Sequence, residues 1–154
     1  MDLQEKIADY QFTGEGLSGF LIERTAKRLK RAFQQELTKM NAGLTADQWV
    51  VMDLLANKGA LNQLEICRYL AKDPPTVTRI LDILVEKKLL QRKTDPEDRR
   101  RFLVSLTRQG MNRHFELITR VKAFRKKHFN DLSPYDIELL LNVLEKINRS
   151  IDEE

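Results

Sequence analysis

The sequence predicts a mainly α-helical chain with about six helices and one small β-wing. Three observations predict it. Apolar residues recur at helical spacing over most of the chain. Residues 102–106 alternate instead, with Phe102, Val104 and Leu106 set against Leu103 and Ser105, the period of a half-buried strand. Turn-forming residues at 94–98 separate that strand from a second extended arm at 89–94.

A length of 154 residues suits one compact domain with a sizeable core. The chain is 42% hydrophobic and 32% charged, a balance that folds and stays in water. There is no run of ~20 apolar residues, so no membrane partner is expected. The opening MDLQEKIADYQF is polar and acidic, unlike a signal peptide. The single cysteine cannot form an internal disulfide, which fits a reducing, cytoplasmic location.

Residues 17–40 read as a long helix with Leu17, Phe20, Leu21, Leu29, Phe33, Leu37 and Met40 on one broad side, and Gly43 as a stop signal. Thr45 caps a second helix, with Gln48 completing a capping box and Trp49, Met52 and Leu55 as its dry face. Leu61 reads as a minimal strand closing the wing sheet. Asn62, with Glu65, caps a third helix, whose apolar contacts come from Leu64, Ile66, Cys67 and Leu70. Thr107 caps a long helix over 108–130. Ser133 and Pro134 open the last helix, striped by Ile137, Leu140, Leu141, Leu144, Ile147 and Ile151. So apolar a terminal helix is costly to expose, and a second copy of the chain would cover it.

The chain is organised around residues 73–107. Asp73 is a good N-cap and Pro74 suits the first helical position. Val77, Ile80, Leu81, Leu84 and Val85 make a dry stripe. Pro75, Thr76, Thr78 and Arg79 then fall on the flanks and the opposite side. Short, hydroxylated and cationic side chains near a helix N-terminus can enter a major groove. Three adjacent arginines, Arg99, Arg100 and Arg101, follow the turn, and Asp98 is placed to orient Arg100 toward a narrow, electronegative minor groove. Residues 72–108 hold ten Lys/Arg and six Asp/Glu, and the remainder holds seventeen of each, so the whole net charge of +4 lies in this window. A capped helix followed by a basic hairpin is the reading unit of an α/β winged helix-turn-helix, and double-stranded DNA is its expected partner.

The stretch resembles the MarR family of bacterial transcription regulators. The resemblance rests on LTADQW at 44–49, TVTR at 76–79, DPEDRR at 95–100 and VSLT at 104–107. Asp98 and Arg100 are its most diagnostic pair. It implies a dimeric regulator, most often a repressor, that recognises a pseudo-palindromic operator. It also implies a small phenolic or aromatic effector. The regions 1–44 and 107–154 would form a helical dimerisation region, with Leu17, Phe20, Leu21, Leu140, Leu144, Ile147 and Ile151 at the interface. The region 45–106 would bind DNA through Pro75, Thr76, Thr78, Arg79, Asp98, Arg99 and Arg100, with Gln63 near a phosphate. Lys88 stands where the family usually has Gly, at a cost of roughly 1 kcal/mol if the backbone there is left-handed. Cys67 stands where relatives carry a small residue, and reads as a buried small hydrophobe.

No catalytic residue, metal ligand set or cofactor-binding residue can be nominated, and no enzymatic activity is expected. His114 and His128 lie ~21 Å apart along one helix, too far to share a metal within one chain. The alternative to DNA binding is a winged-helix module that binds protein. Such modules usually lack a basic wing, so Arg99, Arg100 and Arg101 argue against it.

Overall fold

The structure, a computed structural model, describes Asp2, Gln4, Glu5 and residues 19–153, with Gly19 and Phe20 described by backbone alone. Among the described residues, six helices of eight residues or more follow in order with three strands: α1 (Gly19–Lys39), α2 (Ala46–Lys58), β1 (Leu61–Asn62), α3 (Gln63–Leu70), α4 (Pro74–Glu86), β2 (Leu90–Thr94), β3 (Phe102–Leu106), α5 (Arg108–Phe129) and α6 (Pro134–Asp152). The expected interface position Leu17 and the side chain of Phe20 lie outside the described residues.

Local chemistry sets most of these boundaries. Thr45, Asn62 and Ser133 each form a reciprocal capping box, and Asp73 caps α4 by accepting from the Thr76 N–H. Such caps contribute about 1 kcal/mol each. The strands form one antiparallel sheet in the order β1-β3-β2, with Leu61 opposite Val104 and Arg92 opposite Val104 on the other side. Leu61 thus closes the wing sheet as expected.

The chain divides into two compact units, Met1–Leu117 and Ile118–Glu154. The first holds the helix-turn-helix and the sheet. Trp49, Met52, Ile66, Leu81, Leu84 and Val104 are almost wholly removed from water at its centre. Cys67 is buried, as its small apolar role requires. His114 is a packed histidine: its ring stacks on Trp49 at 4.9 Å and its Nε2 lies 2.9 Å from Asp53 Oδ1. In the second unit no residue of α6 is buried, and Leu141 and Ile151 are more than 60% exposed.

Two expectations need correction. Phe102 is 56% exposed, so only Val104 of the predicted alternating set is fully buried. Phe102 pairs with Thr94 where the hairpin leaves the core, and alternation alone does not show where a sheet outruns its cover. Leu64 is 51% exposed and adds little to the packing of α3, whose inner face is Ile66 and Cys67.

The junction between α4, the hairpin and α5 is tight. Lys88 is left-handed at φ 62°, the conformation that glycine adopts without strain. Thr107 Oγ1 donates to the Lys88 carbonyl at 2.6 Å, and the Thr107 N–H donates to the Leu89 carbonyl at 3.0 Å. A Cβ at Gly110 would stand 2.0 Å from that Leu89 oxygen. Opposite effects should follow in thermal and denaturant unfolding. Lys88→Gly should stabilise by up to about 1 kcal/mol. Gly110→Ala should destabilise by about 1–3 kcal/mol, because main chain must move to admit the methyl.

Candidate nucleic-acid interface

The interface begins with the back of α4. Val77, Leu81 and Leu84 are fully buried and Ile80 is 7% exposed. That leaves Pro75 and Arg79 exposed on the far side, with Thr76 and Thr78 half-buried on the two flanks. At 100° per residue this is the placement that the apolar stripe demands.

The turn of the helix-turn-helix is held by short polar contacts. α3 ends at Ala71 in a left-handed conformation, and the Lys72 N–H reaches back to the Cys67 carbonyl. Asp73 then takes both the N–H and the hydroxyl of Thr76, at 3.0 and 2.7 Å. These hydrogen bonds hold the Asp73 carboxyl below its ordinary range. Thr78 Oγ1 donates to the Pro74 carbonyl at 2.9 Å, and Gln63 Nε2 donates to Thr78 Oγ1 at 2.6 Å. Gln63 is therefore joined to α4 itself.

The wing is also built for aim. The Asp95 N–H donates to the Arg101 carbonyl, and the Arg101 N–H donates to the Asp98 carbonyl, closing the tip. Asp98 accepts from Arg100 Nε at 3.1 Å, Arg100 Nη2 at 3.3 Å and the Arg100 backbone N–H at 3.0 Å. The Arg100 side chain is nonetheless 90% exposed. It is a cation that is oriented but not covered. Arg99 is exposed and pairs with no carboxylate among the described residues. The structure therefore joins Asp98 to Arg100, as expected, and leaves Arg99 outward.

Some contacts could not be read from the sequence. Arg92 Nη2 on β2 meets Asp82 Oδ1 on α4 at 2.6 Å, so the hairpin and the helix are tied by charge. Their separation of ten residues carries no periodic signal. Arg101 also shares Asp98, at 3.5 Å. Gln63, Leu64, Arg92, Arg100, Arg101 and Phe102 line one concavity of about 250 Å³, which brings the start of α3 beside the wing arginines. Among the described residues there is no cluster of His, Cys, Asp or Glu that could hold a metal, and no helix long and apolar enough to cross a membrane.

The MarR family model matches residues 44–102. The uncharacterized HTH-type transcriptional regulator YwoH of Bacillus subtilis is 31% identical over 117 residues, covering 76% of this chain and 83% of that protein. The structure of BpsR from Bordetella bronchiseptica, whose DNA binding is regulated by 6-hydroxynicotinic acid, superposes with a TM-score of 0.72. It is 30% identical, over 83% of this chain and 96% of that one. Staphylococcus aureus MepR in complex with DNA superposes with a TM-score of 0.73 at 25% identity, over 85% of this chain and 96% of that one.

The Asp98–Arg100 contact has a pH signature. A depressed carboxyl contributes stability above its ordinary range, and the contribution is lost as pH falls through the lowered value. Arg100 is the first cause of the depression at Asp98. In an NMR titration the Asp98 carboxyl should therefore titrate below ordinary aspartate. Arg100→Ala should return it toward that range, with no change in wing order between about pH 6 and 8.

Proposed function

Because this chain belongs to the MarR family of transcription regulators, we propose that it is a dimeric, sequence-specific DNA-binding repressor of a pseudo-palindromic operator. The observation that carries this is the pairing of two exposed cations with fixed supports. Arg79 stands opposite a fully buried helix face, and Arg100 is clasped by Asp98 while 90% exposed. On this reading Pro75, Thr76, Thr78 and Arg79 meet the major groove. Arg100 enters the minor groove, Asp98 supports it, and Arg99 meets phosphate. Gln63 serves the same face through Thr78.

The region 45–106 is the DNA-binding part, and 1–44 with 107–154 pairs two chains. The uncovered apolar residues of α6 support the pairing, with Leu140 at 42%, Ile147 at 39% and Ile151 at 63% exposure. Leu144 and Leu21 are half-buried in the single chain and belong to the same proposed interface. Two reading heads would then face successive major grooves ~34 Å apart. The ligand-regulated relative supports a small aromatic acid as effector, and the single buried cysteine is consistent with action in the cytoplasm.

Size-exclusion chromatography with light scattering should give a dimer. Gel shifts against duplexes selected from a random pool should show specific binding that falls steeply with salt. Arg79→Ala should cost about 1–3 kcal/mol and relax base preference. Arg100→Ala should weaken binding and lower the salt slope by about one, with less effect on preference. A monomer that ignores every duplex at low salt would end this reading.

A further inference from the structure

Hydrogen-bond donors and acceptors on the face of α4 are already allotted inside the protein, and the allotment limits which bases it can read. Thr76 Oγ1 lies 2.7 Å from Asp73 Oδ1. An ionised carboxylate only accepts, so the Thr76 proton points inward. Thr78 Oγ1 lies 2.9 Å from the Pro74 carbonyl, which also only accepts, so the Thr78 proton is spent there. With that proton committed, the group of Gln63 at 2.6 Å from Thr78 Oγ1 must be the amide nitrogen. The same nitrogen lies 3.4 Å from the Pro74 carbonyl, which agrees with this orientation. The reverse amide orientation would set oxygen against two oxygens with no proton between them. The two threonine hydroxyls on the flanks of α4 therefore have only lone pairs left to offer, whereas the Gln63 amide nitrogen carries two hydrogens and keeps a donor.

In the major groove the base donors are adenine N6 and cytosine N4, whereas guanine N7 and O6 and thymine O4 accept. Resting on the DNA-binding reading above, we propose that Thr76 and Thr78 form an acceptor-only set. The set selects amino-bearing base edges, adenine or cytosine, and leaves guanine to Arg79. Gln63 acts here as a positioning residue, because its amide N–H fixes which lone pair of Thr78 remains open. Lone pair against guanine O6 or thymine O4 is repulsive, so the set rejects as well as selects. One competing contact is the threonine methyl on a thymine methyl, and a valine variant separates the two.

The test starts from duplexes selected by the wild-type protein. Each adenine in the site is replaced singly by purine lacking the 6-amino group, and each cytosine by a pyrimidinone lacking the 4-amino group. Affinities are measured at fixed salt for wild type, Thr76→Val, Thr78→Val and the matching serine variants, with thermal unfolding as the check on folding. Wild type should lose about two- to tenfold on removal of one amino group facing the helix. The corresponding valine variant should show that loss on the natural site and no further loss on the analogue. The serine variants should keep the discrimination. If wild type is indifferent to every amino group in its site, the proposal is wrong. It is equally wrong if the selected bases facing Thr76 and Thr78 are thymines that the valine variants bind as well as wild type does. Should a valine variant not fold, the analogue series on wild type decides alone. A wild type that binds no duplex at all removes the DNA-binding reading, and this inference with it.

Discussion

Val77, Ile80, Leu81 and Leu84 hold α4 against the core, and the cost of wetting them fixes the rotation of the helix about its own axis. Each such side chain contributes roughly 1.5–3 kcal/mol by its removal from water. Rolling the helix by one residue, about 100°, would expose part of this set and bury Thr78 without adding partners. Nothing on the outward face needs its own anchor as a result. Arg79 and Pro75 can remain bare because four residues behind them cannot turn.

Charge is arranged on the same plan at the wing tip, where the support lies beneath the group it aims. Asp98 sits at 27% side-chain exposure under an Arg100 that is 90% exposed, and Asp82 joins Arg92 across from α4 to β2. Asp47 on α2 meets Lys30 of α1 at 2.9 Å and Lys72 of the turn at 3.4 Å. Exposed ion pairs add little to stability. Their effect here is directional. A guanidinium clasped by a carboxylate loses rotamer freedom before any anion arrives, and that cost is absent from the binding step.

What could be read from the sequence was what is local in the chain. The caps at Thr45, Asn62, Asp73 and Ser133 depend on residues three apart, and all four stand as the sequence implies. The Asp98–Arg100 contact spans two residues and was equally legible. The left-handed turn at Lys88 could be suspected only through a resemblance, because lysine itself carries no such signal. Phe102 and Leu64 were misjudged because exposure depends on what lies opposite, and a periodic pattern holds no record of that. The Gln63–Thr78 bond links residues fifteen apart on two helices, so only their packing reveals it. Which polar and cationic side chains stand outward on α4 and the wing was legible, and the direction of each proton was not.

The root of the hairpin has one more property. The carbonyl of Leu89 accepts from Thr107 and occupies the space that a side chain at Gly110 would fill. Backbone there meets backbone, with no flexible side chain between. Such a joint cannot yield by rotamer hopping, so the end of α4 and the first turn of α5 must tilt as one piece. Swinging of the hairpin at its base is thereby resisted by main chain on both sides of the joint.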